Sequence, residues 1–283
     1  MLRRGGNRST TDTGGIEYTA RSVQNGRDDN EDSFLIVSLM PEIGGQPFHL
    51  LVVADGMGGH EHGEEVSRES VSRFSLALME QLIVTPSVNQ PSKRPQFSAE
   101  GLRRALVSAL TTTNDRVRQI VEQNHWVKAG STIVAVLLRG NEADVVNLGD
   151  SPLFHYEARQ HRIEQVTEDH TVAGVLLRAG LINAEMARVH EGKSRLEFFL
   201  GAEQLPREEP FYRRVLSPGD LLMLCSDGIS GALTAEQIAS ILGGANGNLD
   251  IIADDLIQAA NDAGETDNQT VILWRYTERN PAR

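Results

Sequence analysis

The chain has 283 residues, one cysteine and a formal net charge of -12. It is long enough to bury a sizeable core as one large domain or two ordinary ones, and its acidity argues against nucleic acid or an anionic membrane as partners, since both would repel it. A single cysteine excludes an internal disulfide, as suits a reducing cytosol, and no apolar run approaches the ~20 residues that a bilayer-spanning helix needs.

In chain order, residues 1–15 (MLRRGGNRSTTDTGG) are basic with no apolar run behind them, and read as a flexible tail rather than a secretory signal. Apolar and β-branched runs bounded by Gly, Asp, Asn or Pro predict strands over 16–23, 33–39 and 48–54. Val66, Val71, Phe74 and Leu78 keep a helical period and predict a helix over 63–83; Leu102, Ala105, Leu106, Ala109, Leu110, Val117 and Ile120 predict a second over 99–123. TPSVNQPSKRPQ between them is a Pro- and Ser-rich loop. Strands are predicted again over 132–138, 143–148 and 152–156. Segment 165–205 is polar and weakly periodic, an irregular helical flap. Further strands are predicted over 211–216, 221–226 and 270–276, with a short helix capped by Thr234 and Gln237 in capping-box spacing and another helix over 249–262. Residues 277–283 read as a C-terminal tail, and no linker divides 16–276. The fold expected is a single α+β domain, a four-layer α-β-β-α sandwich of two antiparallel sheets flanked by helices.

Acidic residues recur where apolar strands end. Asp55 closes HLLVVADG, Asp150 closes ADVVNLGD and Asp227 closes DLLMLCSDG; Glu31 and Asp32 open NEDSFLIV, and Asp267 precedes QTVILWRY. A carboxylate beside buried backbone is costly unless a cation or hydrogen bonds offset it. Several together suggest one oxygen-rich metal site at one end of packed strands, suited to hydrolysis of phosphate esters.

Each motif alone also has a plain reading. DGMGGH (55–60) is a turn, or a place where backbone approaches a ligand, with Asp55 bridging two cations and the Gly56 carbonyl adding an oxygen. RDDNED (27–32) is a charged loop, or an Arg27 guanidinium for phosphate oxygens beside metal-binding carboxylates. SDG (226–228) and TDN (266–268) are turns whose weight is joint. HEH (60–62) fits no standard zinc spacing and reads as a solvated helix start. His170 and His190 read as flap surface residues, with His170 kept as a candidate phosphate or leaving-group contact. Cys225 reads as a buried, inert thiol; no Arg follows it as a cysteine-dependent phosphatase loop requires.

In sequence order, Arg27, NED (30–32), VADGMGGH (53–60), GSTIVAV (130–136), LGDS (148–151), TEDHT (167–171), LG (200–201), LCSDGI (224–229) and TDNQTVIL (266–273) resemble the PP2C (PPM) family of metal-dependent serine/threonine protein phosphatases, bacterial branch, over nearly all of 16–276. The resemblance implies the sandwich fold and hydrolysis of phosphoserine and phosphothreonine by direct attack of a water bridging two Mn2+ or Mg2+ ions. It implies Asp55 as the bridging ligand, Asp227 and Asp267 on the first ion, and Glu31 with the Gly56 carbonyl on the second. Asp32 would hydrogen-bond metal-bound waters, Arg27 would grip the phosphate, and Asp150 with Asp227 would serve a weaker third metal site. The partners implied are phosphorylated proteins, a Ser/Thr kinase among them, met by a cytoplasmic monomer.

Three positions depart from the family pattern. Met57 stands where eukaryotic members often carry a candidate general-acid His, Pro152 replaces the usual Arg after GDS, and Gln24 replaces a usual Gly. Two other readings remain open on the residues alone: a non-catalytic phosphoprotein-binding module of the same fold, and a different two-metal hydrolase such as a nuclease, which the acidic balance disfavours.

Overall fold

A computed structural model of the chain describes residues 16–39, 46–57, 62–83, 97–127, 129–244 and 247–277. From Phe48 to Ala54 every residue is buried, with no polar face left for water. A strand buried on both sides needs a cover on each, and here a second sheet and a helical layer supply them.

The elements in order are β1 (Ile16–Val23), β2 (Asp32–Leu39), β3 (Phe48–Met57), α1 (Gly63–Ile83), α2 (Ala99–Asn124), β4 (Gly130–Ser131), β5 (Ile133–Arg139), β6 (Glu142–Leu148), β7 (Leu153–Glu157), β8 (Arg162–Gln165), α3 (Val172–Arg178), α4 (Ala184–Val189), β9 (Phe211–Val215), β10 (Leu221–Cys225), α5 (Asp227–Ser230), α6 (Ala235–Leu242), α7 (Leu249–Asp262) and β11 (Gln269–Tyr276). One sheet has the order β1-β11-β10-β7-β8 and the other β2-β3-β5-β6-β9, with β4 paired to the end of β3. All the pairings are antiparallel.

Period-2 side chains sort into the layers. Leu51, Val53, Val134 and Val136 of one sheet meet Leu222, Leu224, Ile272 and Trp274 of the other in a central core. The opposite faces, among them Leu50, Val52, Ala135 and Leu137, pack against Phe74, Leu78, Leu106 and Leu110 of α1 and α2. Met223, Val271 and Leu273 pack against Ile238, Ile252 and Leu256 of α6 and α7. The expected four layers are therefore present. Thr234 and Gln237 form the capping box in full at the start of α6.

Several boundaries differ from expectation, each for a local reason. β3 runs to Met57 because Gly56 and Met57 pair with Ser131 and Gly130 of β4. The strand predicted over 132–138 breaks at Thr132, whose N–H donates to the Asp55 carbonyl at 2.8 Å instead of continuing a ladder. The strand predicted to reach 226 stops at Cys225; Ser226 and Asp227 turn into the short helix α5. β8 was not predicted, since its residues RIEQ are polar and mostly exposed and only pairing with β7 makes them a strand. The flap resolves into α3 and α4. The tail 1–15, the loop 85–96, Gly58, Gly59, His60 and Glu61 of the glycine-rich motifs, and 278–283 of the C-terminal tail lie outside the described residues. Among the described residues no helix is long and apolar enough to cross a membrane.

Candidate active site

β2 begins where β3 ends, so the antiparallel register sets Asp32 directly opposite Asp55. Directly opposed residues share one face of a sheet, and two acids thus meet at one end of the six-stranded sheet. In the other sheet Cys225 pairs with Val271, which brings Ser226 and Asp227, just past β10, beside Asp267 and Asn268, just before β11. The Ser226 hydroxyl then donates to Asp32 Oδ2 at 2.7 Å. That bond joins the acidic ends of the two sheets.

The loop 24–31 is fastened to the start of β11 by Asn268. Its Oδ1 accepts from the Glu31 N–H at 2.9 Å, and its Nδ2 donates to the carbonyls of Gln24 at 2.8 Å and Asp29 at 2.9 Å. Gln24, the departure from the family's Gly, braces the same loop by donating to the Arg27 carbonyl at 2.9 Å. So held, Arg27 donates from Nη2 to Asp267 Oδ2 at 2.5 Å. Gly63, first residue of α1, lies against Glu31: a Cβ there would stand 2.5 Å from the Glu31 carboxyl carbon. Gly56 donates its N–H to the Glu31 carbonyl at 3.0 Å. Asp55 is fixed from behind, its N–H donating to Thr132 Oγ1 at 3.0 Å, and Thr132 Oγ1 bonds Ser151 Oγ at 2.6 Å next to Asp150.

Crowding acids into one buried space holds protons on them. Burial pushes Asp55 well above the usual carboxylate range, and Asp32, Asp227, Asp150 and Asp267 add to the push. Asp32 is raised to about 7, chiefly by burial, although the hydrogen bond from Ser226 favours its anion. Asp150 is raised well above its ordinary value by burial, then by Asp227 and Asp169. Asp227 is raised by burial and by the like charge of Asp267. Glu31 is raised by burial. Asp32 Oδ1 is buried with no hydrogen-bond partner among the described residues.

These donors fit hard divalent cations in kind: oxygens only, mutually repelling, with one buried oxygen unsatisfied. The Arg27 guanidinium already stands as a positive charge at Asp267. The set is assembled but not closed, since among the described residues no three His, Cys, Asp or Glu side chains are drawn together tightly enough to hold a metal ion.

Arg27, Glu31, Asp32, Asp55, Asp150, Asp227 and Asp267 thus come to one end of the sandwich. Asp150, Asp227 and Asp267 line a cavity of about 440 Å³, together with Pro152, Asp169 and the flap helices. Asp169 escaped notice in the sequence, where it is one acid in TEDHT; burial and Asp227 raise it to about 6. Asn268 and Ser226 also escaped, because TDN and SDG draw attention to their acids.

The expectation for His170 is corrected. It is 2% exposed, its Nδ1 accepts from the Gly149 N–H at 3.2 Å and its N–H donates to the Gly149 carbonyl at 3.0 Å. Burial lowers it to about 4, and Phe198 packs edge-on against the ring. It is a buried, neutral brace for the turn carrying Asp150. Of HEH only His62 is described: it stands half-buried just before α1, its ring stacked on Trp126 with centroids 4.1 Å apart. Cys225 is buried as expected, and burial pushes its thiol up, out of reach as a nucleophile.

The sequence pattern of the family described as "Protein phosphatase 2C" matches residues 30–246. The serine/threonine phosphatase stp of Listeria monocytogenes is 31% identical over 225 residues, 79% of this chain and 83% of the relative. The S. agalactiae serine/threonine phosphatase superposes with a TM-score of 0.77 at 26% identity, covering 93% of this chain and 100% of that one. The catalytic domain of the serine/threonine phosphatase PstP, solved in complex with two manganese ions, superposes with a TM-score of 0.70 at 27% identity over 93% of this chain and 99% of that one.

Proposed function

Since this chain belongs to the protein phosphatase 2C family and is a metal-dependent protein serine/threonine phosphatase, we propose that its hydrolytic centre is the acidic cluster where the two sheets meet. In this reading Asp55, Asp227, Asp267, Glu31 and the Gly56 carbonyl would hold two Mn2+ or Mg2+ ions, Asp55 being shared between them, Asp227 and Asp267 serving the first and Glu31 with the Gly56 carbonyl the second. Asp150 with Asp227 offers a weaker third position. Such ions, when bound, supply a nucleophile from water and countercharge for the transition state.

The chain's own residues orient and neutralise. Asp32, bonded through Oδ2 to Ser226, keeps Oδ1 free to accept a proton from water. Arg27 exchanges its Asp267 partner for two oxygens of the incoming phosphate, a bidentate pairing that a guanidinium fork favours. Asp55 stays ionised once its neighbours' charge is balanced. Hydrolysis proceeds without a covalent phosphoenzyme, and the buried Cys225 offers none. With Met57 in place of a histidine, the leaving alkoxide takes its proton from solvent in the site.

The substrates are phosphorylated proteins, and we assign a Ser/Thr kinase among them, acted on by a cytoplasmic monomer. The observation that carries the reading is the convergence itself: Asp32 stands opposite Asp55 in register, Ser226 beside Asp227 bonds Asp32 across the two sheets, and Asp150, Asp227 and Asp267 line one cavity. No observation favours the non-catalytic module, since every carboxylate of the set is retained. The test is release of phosphate from a phosphothreonine peptide with Mn2+ and after chelation. Activity that survives complete chelation, or a phosphoenzyme trapped by acid quench, overturns it.

A further inference from the structure

The cavity above the acidic cluster has two unlike walls. Its floor is acidic, formed by Asp150, Asp169, Asp227, Glu265 and Asp267. Among the described residues its cationic lining is Arg188, in the last turn of α4, and Lys193, on the turn that follows. At about 440 Å³ it is of a size that takes a ligand group of several side chains' bulk.

These two cations differ from their neighbours. Arg178 of the flap is paired with Glu168, Arg162 with Glu157 and Arg214 with Glu164. Among the described residues neither Arg188 nor Lys193 forms an ion pair, although Glu236 senses Arg188 through space. Both are exposed. Their backbone is nonetheless fixed. Asn183 caps α4 by accepting from the Met186 N–H at 2.8 Å, and the Lys193 N–H donates to the His190 carbonyl at 3.1 Å. The Ala173 N–H donates to the Gly192 carbonyl at 3.2 Å, which ties this turn to α3. Two unneutralised cations on a braced turn facing a cavity form a preorganised anion contact, since little ordering remains to be done on binding.

We propose that the flap wall is a specificity subsite for an acidic side chain flanking the phosphorylated Ser or Thr, with Arg188 and Lys193 as the specificity-determining residues; this rests on the acidic floor being the hydrolytic centre. On a chain of net charge -12, an acidic peptide is repelled over most of the surface. The flap wall is where that repulsion is locally reversed.

The experiment compares kcat/KM for phosphothreonine peptides bearing Asp, Ala or Lys within three positions of the phosphoresidue, with p-nitrophenyl phosphate as a substrate lacking any flank. The native protein prefers the Asp peptides over the Lys peptides by about fivefold to tenfold, the scale set by two exposed charges. R188E/K193E inverts that order through KM, R188K/K193R keeps it, and neither changes p-nitrophenyl phosphate turnover. Equal use of the three peptides by the native protein, or an order that R188E/K193E leaves unchanged, overturns the subsite. Loss of p-nitrophenyl phosphate turnover in the native protein would instead refute the hydrolytic centre, and binding of the same peptides followed by fluorescence anisotropy still decides the subsite.

Discussion

Arg27 and Asp267, 240 residues apart in the chain, are joined by a guanidinium–carboxylate hydrogen bond of 2.5 Å. Arginine's charge therefore rests on a carboxylate assigned to an ion. The same guanidinium is assigned to the phosphate, so it must change partners during the cycle. Arg27→Ala is expected to raise KM for a phosphopeptide by about tenfold or more with a smaller change in kcat, because the contact is made in ground and transition states alike. It is also expected to tighten Mn2+ binding by calorimetry in the absence of phosphate, since a competing cation has gone. Weaker Mn2+ binding would contradict the pairing described.

Asp227→Asn is expected to lower turnover at least about a hundredfold, the scale on which loss of one electrostatic contributor is felt. The chelated protein should nevertheless melt at a higher temperature than the native one. Burial and Asp267 both disfavour the Asp227 anion, so removing its charge relieves the folded state. Calorimetric melting in chelator reads the sign directly.

The raised carboxyls also set a pH dependence. Asp32 titrates at about 7 and Asp169 at about 6 in the folded protein, against about 3.9 for an unfolded Asp. The folded state thus binds more protons between these values, and their contribution to stability is fully present below pH ~4 and is lost as pH rises through about 6 to 7. Their share of the chelated protein's melting temperature should fall over that window, most visibly from pH 5 to 8, and Asp32→Asn should flatten the fall. Saturating Mn2+ should remove most of the slope.

Gly63→Ala places a methyl 2.5 Å from the Glu31 carboxyl carbon, the end of a side chain that can swing aside. Helix α1 itself gains by the change. The expected outcome is a melting temperature close to native in chelator, with Mn2+ affinity reduced by about tenfold. Native Mn2+ affinity in this variant would remove Glu31 from the ligand set.

Asn268→Ala leaves the Glu31 N–H and the carbonyls of Gln24 and Asp29 without their partner. About 2 kcal/mol of destabilisation is expected, measured by urea unfolding. KM should rise with it, because the loop that presents Arg27 is released.

The sequence revealed what is local to it. An acid after an apolar run, as at Asp55 or Asp227, is visible because the strand and the carboxylate that terminates it are contiguous. The helical stripes of α1 and α2 and the capping box at Thr234 are legible for the same reason. Contacts made across the fold left no such trace. Asn268 bonds residues 237 and 244 positions away in the chain, and TDN reads only as a turn with an acid in it. His170 resembles a surface histidine until the turn at Gly149 is folded against it. β8 carries no apolar alternation, so its neighbour β7 decides its state. Gln24 and Pro152 stand out as departures, but only coordinates reveal that the first braces a loop and that the second lines the cavity.

The bond from Ser226 to Asp32 crosses from one sheet to the other at the very edge where the acids gather. Reactivity is thereby located on a mechanical joint, like the clasp on a two-leaved book. Cations held at that edge would bear on both leaves at once, so occupancy of the site and the strength of the joint are linked: whatever binds the folded edge adds to its stability.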